Sequence, residues 1–152
     1  MESITGFLED FDFAKLLPEI AKFLSGMRFW LNFIMLLGPV LMLIFGLCYF
    51  FRPAQEPSEK IGFRVSRAMA GTEAWLYAQK LAGLVWMCLG GGMTILSLVL
   101  FFVFLALEPL ALATGVVIWI GVQVILSIVS YFFLLTRINA QYDKEGKPKK
   151  KR

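Results

Sequence analysis

Three long apolar runs decide what this chain can fold into. They occupy residues 29–51, 84–107 and 110–135, and none of them contains a Lys, Arg, Asp or Glu. A helix needs about 20 apolar residues to cross a bilayer, and each run reaches that length. Hydrophobic residues make up 59% of the chain and its mean hydropathy is +0.73, outside soluble-protein averages. The sequence therefore predicts an all-α membrane protein with three transmembrane helices in a membrane domain spanning 29–136.

The connections between these runs indicate how the helices are arranged. Only Glu108 and Pro109 separate the second run from the third, which predicts a tight turn and an antiparallel helical hairpin. Residues 1–28 precede the first run and show the one-face spacing of an amphipathic helix, interrupted or kinked at Pro18. We expect this segment to lie on the bilayer surface or to pack on the protein's own loop. Its apolar residues are Ile4, Phe7, Leu8, Phe11, Phe13, Leu16, Leu17, Ile20, Phe23 and Leu24.

The positive charges predict the orientation of the chain. Of the 15 Lys and Arg residues, five lie in the loop between the first two runs, 52–83, and seven lie in the tail, 137–152. Translocating Lys and Arg across the membrane is disfavoured, so both segments are expected on the cytoplasmic side of a bacterial cytoplasmic membrane, with the amino terminus outside. The tail is expected to be a solvated polybasic strip attracted to anionic lipids. Nucleic-acid binding is not expected, because the basic residues lack interleaved aromatics.

Several kinds of chemistry are excluded by the residue inventory. The chain has no histidine, and its two cysteines, Cys48 and Cys88, lie far apart inside apolar runs. A His-based catalytic triad, the usual zinc sites and a Cys-x-x-Cys redox motif are therefore excluded. We expect no catalytic residues, no metal, no cofactor and no enzymatic activity. Coupled transport is also disfavoured, because it usually requires an ionisable residue within a span.

The third run carries one polar face. Gln123, Ser127 and Ser130 follow helical spacing, and Arg137 lies one heptad beyond Ser130. This face is either a polar groove for a peptide or a lipid headgroup, or a set of hydrogen bonds between helices. The second interpretation is the commoner one in membrane bundles.

Small residues indicate where helices approach one another. In the second run, Gly83, Gly90, Thr94 and Ser97 fall on one side of a helix, which predicts the seam of the bundle. In the first run, Gly38 and Pro39 predict a kink, because proline removes a backbone donor.

The loop before the second run contains the most distinctive motif. It reads Gly-Phe-Arg-Val-Ser-Arg-Ala-Met from Gly62, then Glu-Ala-Trp-Leu-Tyr-Ala-Gln from Glu73, and ends at Gly83. This stretch resembles the signature of the SdpI family, which runs Gly-Tyr-Arg-Thr-Pro-x-Ser-Met, then Glu-x-Trp-x-x-Ala-Asn and a Gly. The matching residues are Gly62, Arg64, Met69, Glu73, Trp75, Ala78 and Gly83. This chain departs from the signature at Phe63 (Tyr), Val65 and Ser66 (Thr-Pro), Ala68 (Ser) and Gln79 (Asn).

The residues of this motif also suggest a local structure. Thr72 is expected to cap a short interfacial helix, and Glu73 suits its first turn. Trp75 and Tyr77 are amphipathic rings suited to the headgroup layer. Arg64 and Arg67 are able to bind a lipid phosphate or a carboxylate. We expect Arg64 to pair with Glu73, and Arg67 to contribute ordinary cytoplasmic positive charge.

The resemblance implies a function as well as a fold. SdpI proteins are named for immunity to a secreted sporulation-delaying toxin, and the best-known member is also implicated in holding a transcriptional repressor at the membrane. This chain resembles a short form without the additional amino-terminal spans of longer members. The expected partners are membrane lipids, a secreted peptide toxin or a cytoplasmic regulator, and a second copy of the chain. The alternative is a small oligomeric passive transporter or channel subunit, since three helices alone enclose little space.

Overall fold

A computed structural model describes residues 13–58, 60 and 62–149 of the chain. The described part contains five helices: α1 Phe13–Gly26, α2 Arg28–Phe51, α3 Ser66–Met69, α4 Thr72–Leu105 and α5 Pro109–Gln141. The first amphipathic cluster predicted from the sequence, from Ile4 to Phe11, lies outside the described residues.

Helices α2, α4 and α5 are long and apolar enough to cross a membrane. In their most apolar windows only 17% to 22% of each helix is buried inside the protein. The remaining apolar surface requires an apolar solvent, because exposing it to water is unfavourable. The predicted all-α architecture with three spans is therefore confirmed, and the protein is a multi-pass membrane protein.

The connections define two ends of the bundle. The turn end contains the start of α2 and the short turn 106–108, and the loop end contains residues 52–58, 60 and 62–71 and the segment 142–149. At the turn end, Pro109 is the first residue of α5, where the missing N–H costs no helical hydrogen bond. The N–H of Leu112 donates to the carbonyl of Glu108 at 2.9 Å, which starts the helix immediately after the turn.

Helix α4 is longer than the span predicted from hydropathy. It has 34 residues, so it extends about 51 Å, well beyond the ~30 Å hydrocarbon core. The interfacial helix expected from Thr72 onward forms the first turns of α4 and continues into the span. Gly71, with an extended backbone and no side-chain cap, precedes the helix, so the prediction that Thr72 is the N-cap is wrong by one residue.

Glycines bring α2 and α4 together along the most extensive helix contact in the described structure. A Cβ added at Gly83 would lie 2.5 Å from the backbone nitrogen of Phe50. One added at Gly90 would lie 2.6 Å from the backbone nitrogen of Leu43. Backbones that approach this closely leave no room for a side chain, so these positions form the seam predicted from the sequence.

Two buried clusters lie at opposite ends of the bundle. The loop-end core joins the loop, α4 and α5, and the turn-end core joins α2, α4 and α5. The loop-end core consists of Phe63, Val65, Ala68, Trp75, Ala78, Ala82, Leu134 and Ile138. The turn-end core consists of Met35, Phe104, Leu112 and Val116.

Helix α1 is amphipathic and continues through Pro18 without a break. It contacts α5 and, less extensively, α2. Leu17 and Phe23 are nevertheless 53% and 67% exposed. Their side chains present an apolar surface next to the bundle, as expected for a helix at the bilayer surface.

The seam leads to a matched pair of glycine substitutions. Gly90→Ala should lower the thermal midpoint of unfolding in detergent, because the new Cβ would meet the backbone of Leu43. Gly92→Ala should leave the midpoint unchanged or raise it, because nothing lies within 4 Å of its Cβ and alanine favours helix. Circular dichroism during heating measures both. Equal midpoints for the two variants would show that the seam does not hold α2 against α4.

Candidate functional site

The signature loop is attached to α4 through the side chain of Gln79. The N–H of Phe63 donates to Oε1 of Gln79 at 3.0 Å, and Nε2 of Gln79 donates to the carbonyl of Phe63 at 3.3 Å. Gln79 is fully buried and Phe63 is 4% exposed, so water is not available to replace these bonds. A reciprocal amide pair therefore replaces the backbone partners that an irregular loop lacks.

Gly62 and Trp75 complete this attachment. Gly62 has a φ of +116°, which L side chains rarely adopt, and a Cβ there would lie 2.6 Å from the ring of Trp75. The Trp75 ring is fully buried, and its Nε1 donates to the carbonyl of Ala54 at 2.8 Å. The Trp75 ring is therefore buried inside the protein and does not face lipid headgroups, as an amphipathic ring at the membrane surface would. Its indole is buried beneath the loop, with its polar atom bonded to the loop backbone.

Other matched residues fill the space beneath the loop. Ala78 is fully buried in the loop-end core, and Met69 packs against the same core from α3. Gly83 belongs to the seam between α2 and α4. The signature positions described so far therefore share a structural task, which is to hold the loop on α4 and α4 against α2.

Arg67 connects the loop to the carboxyl end of α5. Its Nη1 donates to the carbonyls of Asn139 and Tyr142 at 2.8 and 3.1 Å. These carbonyls lie where the helix ends, and a cation there is favoured by both the hydrogen bonds and the helix dipole. The expectation that Arg67 contributes only general positive charge is therefore corrected, because its guanidinium has specific backbone partners.

The first part of the tail is folded, and its lysines Lys144, Lys147 and Lys149 remain exposed, as expected of a solvated basic strip. Oδ1 of Asp143 accepts from the N–H groups of Glu145 and Lys147, both at 2.9 Å. Gly146 has a φ of +73° and lies against Gly71, where a Cβ would be 2.7 Å from the Gly71 nitrogen. The tail therefore turns back onto the start of α4. Residues 150–152 lie outside the described residues.

At the loop end, Glu73 lies near Tyr142, whereas Arg64 lines a cleft beside α2. Their expected ion pair is not found among the described residues. Burial raises the pKa of the Tyr142 phenol above its ordinary value, and the nearby Glu73 carboxylate raises it further. Arg64 lines a cleft of about 430 Å³ together with Tyr49 and Lys60.

A polar cluster in the middle of the bundle explains the polar residues of α5. Pro39 has no N–H to donate to the carbonyl of Met35, four residues earlier in α2. Nε2 of Gln123 donates to that carbonyl at 2.8 Å. Ser97 of α4 accepts from Nε1 of Trp119 at 2.8 Å and from Nε2 of Gln123 at 3.4 Å. This cluster links all three spanning helices, as the interhelical interpretation of Gln123 predicts.

The other residues of the predicted polar face have separate environments. The hydroxyls of Ser127 and Ser130 donate to carbonyls of their own helix, at Gln123 and Ser127 respectively. Arg137 is exposed, and its guanidinium lies 5.2 Å from the centre of the Phe133 ring. Arg137 therefore belongs to the loop end and not to the polar cluster.

A second arginine, Arg28, which no motif in the sequence singles out, joins α2 to the turn at the other end of the bundle. Nη1 and Nη2 of Arg28 donate to the carbonyls of Leu105 and Leu107 at 2.6 and 2.9 Å. These are the last carbonyls of α4 and of its turn, so Arg28 satisfies groups that have no helical donor.

The two free cysteines, Cys48 and Cys88, are both exposed. Within the described residues no group of three or more Cys, Asp and Glu side chains is placed to hold a metal ion.

The fold and the loop end together define a class of protein. It is a three-span helical membrane protein in which a signature loop and a folded tail cover the projecting ends of two spans. The model of the SdpI/YfhL protein family matches residues 55–135, more than half of the chain, and the chain belongs to this family. Comparison with curated proteins and with solved structures found no significant match.

The amide pair beneath the loop gives a testable consequence. Gln79→Leu should destabilise the fold by about 2 kcal/mol or more, because both the N–H and the carbonyl of Phe63 lose a buried partner. Limited proteolysis should then cut the loop 52–71 faster. Lys80→Gln, at the adjacent exposed position, is the control and should be cut at the parental rate. Unchanged cleavage of Gln79→Leu would show that the pair does not hold the loop.

The partnership between Pro39 and Gln123 can be measured in a double-mutant cycle. Gln123→Leu should destabilise the parent protein, because the carbonyl of Met35 loses its donor. In a Pro39→Ala background the alanine N–H restores that donor, so the same change should cost less. We expect a coupling of about 1 kcal/mol from unfolding titrations in detergent. Strictly additive effects would contradict the assignment.

Proposed function

We propose that this chain is a non-catalytic binding protein of the bacterial cytoplasmic membrane that confers immunity to a secreted peptide toxin, and that its loop end captures a cytoplasmic regulatory partner. One observation carries the proposal. The signature residues fasten the loop and the tail into a single covering at one end of the bundle. A surface that is fixed in this way suits recognition of another molecule.

The loop end has the character expected of a capture surface. Arg64, Lys80, Lys144 and Lys147 are exposed there. With this basic end in the cytoplasm, as the positive charges favour, an acidic segment of a regulator would be attracted to it. The backbone beneath is held by the Gln79 pair and by Arg67, so binding needs little ordering of the loop.

The turn end has the character expected for contact with a membrane-active peptide. The exposed apolar side chains of α1, including Leu17 and Phe23, lie on the side that then faces outward. Arg28 holds α2 to the end of α4 at this level. An apolar peptide in the outer leaflet would meet this surface before it reached the rest of the bilayer.

The proposal is tested by survival of sensitive bacterial cells during exposure to a panel of secreted peptide toxins, including the sporulation-delaying toxin. Cells that express the parent protein should survive, and cells that express Gly62→Ala should not. The added Cβ would collide with Trp75 and Gln79 and displace the loop. Arg137→Gln is the control, because Arg137 is exposed and contacts only its helical neighbour Phe133 among the described rings.

Equal amounts of each variant in the membrane are verified before survival is compared. Failure of the parent protein to protect against every toxin would contradict the immunity function. Protection by Gly62→Ala equal to that of the parent would contradict a role for the loop in immunity. An increase in ion flux when the parent is reconstituted into proteoliposomes would favour a passive channel instead.

A further inference from the structure

A groove between α2 and α5 runs from the loop end toward the middle of the bundle. It begins at the cleft of about 430 Å³ that Arg64, Lys60 and Tyr49 line. Phe45 is shared between this cleft and a second one of about 220 Å³, and Ser127 is shared between the second and a third of about 360 Å³. Because adjoining clefts share a wall residue, they follow one another along the two helices.

The outer part of the groove is cationic and lies where the first span ends. Lys60 and Arg64 are exposed, and both line the cleft beside Tyr49, two residues before the end of α2. Among the described residues, the rest of the lining consists of Phe45, Cys48 and Gly62, which are uncharged. Two cations over an apolar floor at the membrane surface are suited to a phosphate group whose other half is apolar.

The wall of the middle part of the groove carries a buried hydrogen-bond donor that has no acceptor among the described residues. Trp86 lines the second cleft, and its Nε1 is buried with no acceptor in reach among the described residues. An unsatisfied donor is expensive in an apolar medium, where water does not compensate for it. The rings of Tyr49 and Phe63, 5.7 and 5.6 Å away, hold this indole in place. A molecule bound in the groove would relieve the cost by offering an oxygen atom there.

Apart from Gln123 and Ser127, the residues that line the inner part of the groove are apolar, and this part has the length of a lipid chain. Its walls include Ile34, Leu37 and Pro39 from α2 and Val124 and Ile128 from α5. From Tyr49 to Pro39 the helix rises about 15 Å, which is half of the ~30 Å hydrocarbon core. The groove therefore extends from the surface of one leaflet to its inner limit.

We propose that this groove binds one anionic glycerophospholipid. Its phosphate lies between Lys60 and Arg64, an ester carbonyl accepts from Nε1 of Trp86, and one acyl chain follows α2 and α5 inward. The order of charge, donor and apolar wall along the groove matches the order of groups along such a lipid. This site is independent of the proposed toxin immunity, and it would be occupied in cells that no toxin reaches.

Native mass spectrometry of the full chain, released from detergent, tests the site. The protein is equilibrated with phosphatidylglycerol or phosphatidylcholine that have the same acyl chains. Phosphatidylglycerol should be retained more strongly by the parent. Lys60→Gln, which removes one cation, and Trp86→Phe, which keeps the ring but removes the N–H, should each weaken its retention about fivefold. Lys80→Gln, an exposed basic residue outside the groove, should retain it like the parent.

Other outcomes would overturn the proposal. Equal retention of the two lipids by the parent, or equal weakening by Lys60→Gln and Lys80→Gln, would show that only general surface charge attracts the lipid. If Trp86→Phe retained phosphatidylglycerol as strongly as the parent, the proposed hydrogen bond between the ester carbonyl and Trp86 would be wrong. Displacement of phosphatidylglycerol by inorganic phosphate alone would identify a small-anion site. Displacement by an apolar peptide that ends in a free carboxylate would identify a peptide groove. Circular dichroism of each variant confirms that it is folded.

Discussion

An apolar environment supplies no water to a backbone carbonyl that has lost its helical donor, and much of this structure follows from that constraint. Such carbonyls occur where helices end and where proline interrupts the hydrogen-bond pattern. Arg28 satisfies those at the end of α4, Gln123 satisfies the one released by Pro39, and Arg67 satisfies those at the end of α5. Each donor comes from a different element, so each bond that satisfies a carbonyl also joins two parts of the chain.

The spanning helices contact one another in two ways. Helices α2 and α4 meet through glycines, by close approach of their backbones. Helix α5 joins them through the polar cluster around Gln123 and through the cores at the two ends. The clefts lie along α5 because a few localised bonds leave space between helices that a continuous glycine seam would close.

Hydropathy located the three spans because the thickness of a bilayer sets the length of an apolar run. The loop end was less predictable. An indole suits the headgroup layer and a buried site next to a carbonyl equally well, so the sequence alone did not reveal that Trp75 is buried. Arg67 contacts residues more than 70 positions away, which local periodicity does not encode. The position of Pro39 in the sequence shows that the carbonyl of Met35 lacks its helical donor. It does not show that the side chain of Gln123 replaces that donor.

The outward faces of the spans have a further consequence for how sequences of this kind diverge. Ile95, Phe102 and Val117 are 67% to 69% exposed, and any apolar residue of similar size would serve there. Gly62 and Gly83 do not tolerate a larger side chain, because an added Cβ would collide with the ring of Trp75 or the backbone of Phe50, respectively. Most positions are therefore free to drift while a few stay fixed, and overall identity between such chains should fall much faster than their short motifs are lost.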